Sequence, residues 1–209
     1  KPAGVVARKM PEGERDPEAG QKSIAAVSAD GLQFEAINAM VGPAYLRVFS
    51  RGGVWYALNH QTLMRSSKAT GPFEPIAPLI GDDIITELDP VRRQEPGARA
   101  DRPKSGADRY SVRHVGIDLY GDWLLVYFTC VGHRPERILA TAVDLRGDPA
   151  GWKARGVVEV LQPETEWEGG TLALDYSKGG VSRIRERQLR DPAVFVENGR
   201  RWLLYSVAG

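Results

Sequence analysis

The chain has almost no cysteine. A single residue, Cys130, stands in 209 positions, so there is no internal disulfide and no cysteine-rich metal site. The expected role of Cys130 is that of a small buried apolar residue in a strand. Net charge is nearly absent as well, at +1. That balance gives no electrostatic footprint for nucleic acid or for an anionic membrane surface. Long apolar runs are missing: the longest, such as 123–128, are strand-sized, and none is long enough to span a bilayer as a helix. No Gly-x-x-x-x-Gly-Lys-Ser/Thr loop and no strand–Gly-rich-turn–helix occurs, which argues against nucleotide binding. Histidines number three, and their spacing is too wide for a zinc site. Metal ligands are therefore not assigned. A Ca²⁺ held by carboxylates is the one cofactor left open.

What is present is ordinary globular material, 42% hydrophobic and 26% charged, in a length that suits one domain over 1–209. The chain starts at Lys1 without a signal-peptide pattern and stops at Gly209 directly after a strand. Both ends suggest a piece of a longer protein, so localisation is left unassigned.

The most informative stretch is Arg190–Ser206. Asn198-Gly199 between two apolar runs is a strong hairpin signal, because both residues accept positive φ. Pro192 has no N–H to give a ladder and is expected at the first position of its strand. Arg190 and Asp191 then stand at the strand mouth.

The same plan recurs upstream. Residues 1–22 read as a polar lead-in, and strands are expected at Lys22–Ala29, Leu32–Ile37, Ala44–Phe49, Val54–Asn59, Thr62–Ser67 and Phe73–Leu79. Residues 80–112 form a long charged loop with room for a short helix. Strands resume at Val112–Tyr120, Trp123–Val131, Arg137–Leu145 and Trp152–Leu161. Residues 162–188 form a second long connection. Superposed, the second strands begin Val54-Trp55-Tyr56-Ala57-Leu58, Trp123-Leu124-Leu125-Val126-Tyr127 and Trp202-Leu203-Leu204-Tyr205-Ser206, each after a Gly-containing turn. A repeating four-stranded antiparallel meander indicates an all-β propeller. The pieces amount to about three blades, fewer than a ring needs, so the propeller is incomplete in this chain. Residues 80–112 and 162–188 are its inter-blade loops.

The hairpin Arg190–Ser206, the segment Ser28-Ala29-Asp30-Gly31-Leu32-Gln33-Phe34, and the set His114, Pro135-Glu136-Arg137-Ile138, Trp167-Glu168-Gly169 and Leu189-Arg190-Asp191-Pro192 resemble the blades of five-bladed propeller glycoside hydrolases. These are the arabinanase/xylosidase-like and invertase/levansucrase-like groups, and the chain is similar to an uncharacterised bacterial branch of them. Asp30-Gly31 also comes close to the Ser-x-Asp-x-Gly-x-x-Trp box of sialidases. It lacks the residue between Asp and Gly and is read as a turn. The resemblance implies carboxylates brought by inner strands to a central funnel, with Asp191 at the head of one such strand and a further Asp outside this chain.

Glycosidic cleavage needs two carboxyl groups, one protonated and one ionised. Asp191 is the first candidate. Glu136 and Glu168 are candidates for the general acid, between which the sequence does not choose. Glu136 is alternatively a structural partner of Arg134 or Arg137. Trp167 beside Glu168 offers a flat face to a sugar ring. His114 occupies the position of Asp191 in the repeat, so both should face one axis. Arg113 and Arg190 accompany them. Tyr45 and Arg47 share a strand face by alternation and are assigned to the same funnel. His60 and His133 are read as surface-loop residues. The expected activity is that of a glycoside hydrolase acting on a carbohydrate, with a non-catalytic carbohydrate-binding or scaffold propeller as the alternative.

Overall fold

The computed structural model describes residues 20–87 and 111–207. The expected lead-in and the loop between 88 and 110 lie outside the described residues. Among the described residues twelve strands follow in chain order: β1 (Lys22–Val27), β2 (Glu35–Pro43), β3 (Arg47–Arg51), β4 (Val54–Asn59), β5 (Thr62–Ser66), β6 (Glu74–Pro78), β7 (Ser111–Tyr120), β8 (Trp123–Val131), β9 (Ile138–Asp144), β10 (Ala154–Leu161), β11 (Leu189–Glu197) and β12 (Arg200–Val207). One short helix, α1 (Asp82–Glu87), follows β6. The protein is all-β. β3–β6 and β7–β10 are four-stranded antiparallel meanders, flanked by the two-stranded sheets β1–β2 and β11–β12.

The turns explain why the strands reverse where they do. Asn198 and Gly199 take φ of 51° and 76°, the left-handed pair that a two-residue hairpin needs. β11 and β12 then run in register from Ala193 opposite Leu204 to Glu197 opposite Arg200.

Successive sheets pack on one another in chain order. On β8, Leu124, Val126, Phe128 and Cys130 alternate onto one face and are fully buried. They join Leu58 and Leu63 of the preceding sheet, Leu139 and Val143 of β9, Trp152, and Ile84 and Ile85 of α1 in one core. Each such side chain contributes roughly 1.5–3 kcal/mol by leaving water. A smaller cluster of Val41, Ala57, Met64 and Phe73 joins β1–β2 to β3–β6. On the other side β11 lies against β7, while β3 touches β7. The first strands of three consecutive sheets are thus neighbours. This adjacency decides what the strand heads can build.

Several boundaries differ from the sequence reading. β2 begins at Glu35, not Leu32, because Asp30 folds the preceding residues into a turn: its carboxylate accepts the amides of Leu32 and Gln33, each at 2.8 Å. β3 begins at Arg47 rather than Ala44. Tyr45 precedes it in a left-handed conformation, φ 61°, so strand alternation does not relate Tyr45 to Arg47. Pro192 is not the first residue of its strand: β11 starts at Leu189, and its register slips between Arg190 and Ala193. A bulge accommodates the missing N–H in place of a strand end. The connection 162–188 carries no strand, only a short 3₁₀ turn at Glu166–Glu168.

Candidate functional site

The site is built at two bulges that face each other. In β7 the register with β8 slips between Val112 and Val115, so Arg113 and His114 fall in the irregularity. In β11 the slip takes in Asp191 and Pro192. Bulges re-aim side chains that a regular pleat would send to fixed faces. Here they bring His114 and Asp191 together across two sheets, and His114 Nδ1 donates to Asp191 Oδ1. Asp191 holds φ of 53°, a left-handed conformation that Asp tolerates better than most residues. The His114 hydrogen bond, partly offset by desolvation, holds the Asp191 carboxyl below its ordinary range.

Around this pair opens a cavity of about 590 Å³. Its walls include Tyr45, His60, His114 and Asp191, the buried Arg113 and Arg190, and the segment from Gly179 to Ser182. Tyr45 packs on His114 with ring centres 4.4 Å apart and meets His60 edge-on at 6.1 Å. Its hydroxyl donates to Gln21 at 2.7 Å. His60 is the residue that sequence reasoning missed. It does sit in the turn after β4, as expected, but it is half-buried rather than on the open surface, and Nδ1 contacts the carbonyls of Val112, at 3.1 Å, and of Arg113. Two carbonyl acceptors assign a proton to Nδ1, which leaves Nε2 clear of these contacts. No local pattern announces that role, because it depends on a turn of one sheet reaching the first strand of the next.

The arginines do not reach for a ligand. The Arg113 Nε lies 3.0 Å from Glu136 Oε1, and its terminal nitrogens donate to the carbonyls of Gly180, at 3.0 Å, and Lys178. The Arg190 Nε lies 3.2 Å from Glu136 Oε2, while its terminal nitrogens donate to Gly180, Glu186 and Gln188. Glu136 is fully buried, and the Thr129 hydroxyl donates to it at 2.8 Å. Burial pushes the Glu136 carboxyl up, and Arg113, Thr129 and Arg190 pull against that rise. Arg137, the residue after Glu136, pairs with Glu159 at 2.7 Å. Glu136 is thus the shared counter-ion of two guanidiniums behind the cavity wall rather than a carboxyl exposed in it.

Glu168 stands elsewhere, outside the cavity lining. It closes a capping box with Thr165 and accepts the amides of Glu164 and Thr165, the Thr165 hydroxyl, and Tyr205 Oη at 2.7 Å. Burial acts to raise its pKa, but these donors outweigh it and bring the carboxyl down to about 2. A group so held is ionised and occupied, the opposite of a general acid. Trp167 is largely exposed beside it, and Arg47 is half-buried at the start of β3; neither lines the cavity. His133, expected on the surface, is fully buried with Nε2 3.2 Å from the Ile85 carbonyl. Among the described residues no three His, Cys, Asp or Glu side chains are grouped to hold a metal ion.

The chain is 34% identical over 189 residues to "Uncharacterized protein R118" of Acanthamoeba polyphaga mimivirus. The match covers 88% of this chain and 49% of the viral protein, so the chain spans about half the length of that relative. No family model matches the chain. No solved structure matches it.

Proposed function

We propose that this chain is part of a five-bladed propeller glycoside hydrolase-like protein, and that the cavity at the heads of β7 and β11, beside Tyr45 and His60, receives a carbohydrate whose glycosidic bond it cleaves. The observation that carries the reading is the meeting of Asp191 and His114 from separate sheets in one cavity, beside the rings of Tyr45 and His60. Full four-stranded sheets flanked by two-stranded ones, with their first strands adjacent, support the propeller.

The chemistry assigns roles. Asp191 is ionised and only partly covered, which suits a base or a stabiliser of developing positive charge on the sugar. His114 orients it through Nδ1–H. The general acid must be a carboxyl of raised pKa facing the same space. Glu136 and Glu168 are both occupied by other partners, so that acid comes from outside the described residues. Tyr45 and the two imidazoles offer flat faces and ring nitrogens to a polyhydroxyl ligand.

The test is turnover of a panel of aryl glycosides and oligosaccharides by the full chain. Replacing Asp191 by Asn should lower hydrolysis by about 10²–10⁴-fold, the usual contribution of acid–base groups. Unchanged turnover removes Asp191 from the mechanism. A second reading, carbohydrate binding without cleavage, is favoured by one observation: Asp191 is the single carboxylate side chain among the described residues that line the cavity. Saturable binding with no product supports that reading.

A further inference from the structure

The buried charges behind the cavity are arranged in a way that the proposed chemistry does not use. Each member of the pair that opens into the cavity directly follows an arginine: Arg113-His114 on β7 and Arg190-Asp191 on β11. Both arginines converge on the same two acceptors. Their Nε atoms approach the two oxygens of one carboxylate, Glu136, at 3.0 and 3.2 Å. Their terminal nitrogens share one carbonyl, Gly180, at 3.0 and 3.4 Å. The main chain adds a tie, because the Glu136 carbonyl accepts the Leu189 amide at 3.0 Å just before Arg190. The far end of the Gly180 segment is fixed independently by Ser177, whose hydroxyl donates to Cys130 at 3.1 Å and whose amide donates to His133 at 2.9 Å.

We propose that Glu136 is a positioning residue: through Arg113 and Arg190 it sets the distance between the two bulges and thereby the hydrogen bond between His114 and Asp191. The geometry makes this specific. The Glu136 carboxylate lies between two guanidiniums as their shared counter-charge, at ion-pair distance from each although neither Nε–H makes a hydrogen bond to it, and in a buried site that attraction holds the two cations close where they would otherwise repel. The bulged segments have lost ladder hydrogen bonds to their own sheets at just these residues. Their placement is therefore free to be decided by side chains. Without the carboxylate, two guanidiniums that are each nearly buried repel one another, and the strand heads they sit on separate. The inference concerns the pairing of His114 with Asp191 and does not require that the cavity cleave a sugar.

The test uses the full chain, labelled with ¹⁵N, and reads the His114 Nδ1–H proton. Asp191→Asn identifies that signal by removing the charged acceptor. Glu136→Gln leaves the buried Arg113 without its counter-charge and Arg190 with Glu186 alone, and is expected to be strongly destabilised, so Glu136→Asp and Arg113→Lys carry the experiment. Both keep every charge; the first withdraws the carboxylate by one methylene, the second removes the planar fork. The expected result is exchange of the His114 Nδ1–H proton faster by about tenfold or more in both variants. The buried Nε2 of His133, against the Ile85 carbonyl, should be unaffected. Far-ultraviolet circular dichroism should report an unchanged strand content. An unchanged His114 signal in these two folded variants overturns the proposal. So does an equal acceleration at His133, which would report general loosening.

Discussion

Gly116 of β7 lies directly against Pro192 of β11: a Cβ on Gly116 would stand 2.8 Å from the Pro192 carbonyl oxygen and 3.3 Å from the Ala193 Cα. Both near atoms are main chain, so no side-chain rotation relieves the contact. The absence of a side chain at Gly116 is what lets β11 approach β7 closely enough for Asp191 to reach His114. Gly116→Ala should force the strands apart and destabilise the fold by about 1–3 kcal/mol, the usual penalty of overpacking. Chemical denaturation measures that loss. The same variant should weaken the His114–Asp191 hydrogen bond, read as faster exchange of the imidazole proton. A Gly116→Ala protein as stable as the parent would show that the two sheets are not held in this contact.

Glu168 supplies a pH-dependent share of stability. Its carboxyl titrates at about 2, against an ordinary value of 4.5. A carboxyl whose folded pKa is depressed stabilises the fold above its unfolded value, and that contribution fades as pH falls toward the folded one. The window therefore runs from about pH 4.5 down to about pH 2, and the contribution above it is roughly 3 kcal/mol at most. Glu168→Gln should be less stable than the parent at neutral pH, with the difference shrinking across that window. Tyr205→Phe removes one donor and should cost about 1.5–3 kcal/mol, the range for a hydrogen bond to a charged group. Urea midpoints at neutral pH and near pH 2.5 separate the outcomes. A pH-independent gap for Glu168→Gln would assign its effect to packing.

The strand repeat was legible because it rests on local signals. Asn198-Gly199, the Gly-containing turns and the aliphatic alternation of Leu124, Val126 and Phe128 each state their structure within a few residues. The pairing of His114 with Asp191 was legible only through that repeat, which put both residues at equivalent strand heads. Two of the three carboxylate candidates, Glu136 and Glu168, do not line the cavity, and the reason is a different one. Glu136 and Glu168 look alike in sequence, acids beside a proline or an indole. What distinguishes them is the set of donors that folding brings, Arg113 and Arg190 for one and Tyr205 for the other, from 23 to 54 positions away. Bulges were equally hidden: nothing local in Val112–Val115 announces a slip of register, yet the slip aims His114.

His60 should matter to the cavity more than its position in a turn suggests. Its Nδ1–H is the donor that the Val112 and Arg113 carbonyls face. His60→Phe keeps a ring beside Tyr45 but leaves those carbonyls without that donor, which costs about 1–3 kcal/mol when such groups are buried. His60→Asn, which offers an N–H from a shorter side chain, should recover part of the loss. Thermal melts of the two variants test this order. Equal stability of His60→Phe and the parent would mean that water serves the carbonyls as well as the imidazole does.

Asp191 combines a backbone demand with an electrostatic one, and substitutions separate them. Its φ of 53° is tolerated by Asn and free for Gly, but strained for Ala by roughly 1–2 kcal/mol. Asp191→Asn therefore isolates the loss of charge, and Asp191→Ala should be the least stable of the three, with Asp191→Gly recovering the backbone part. The charge effect has a definite sign. The folded carboxyl is held below its ordinary value of 3.8, so its stabilisation is present above that pH and disappears as pH falls through the folded value. The gap between parent and Asp191→Asn should be constant near neutrality and close in strong acid. Because the carboxylate remains 42% exposed, solvent screening keeps that gap small, and added salt should narrow it further. A gap that instead widened on acidification would mean that Asp191 is more stable protonated, and it would change the role proposed for this residue from base to acid.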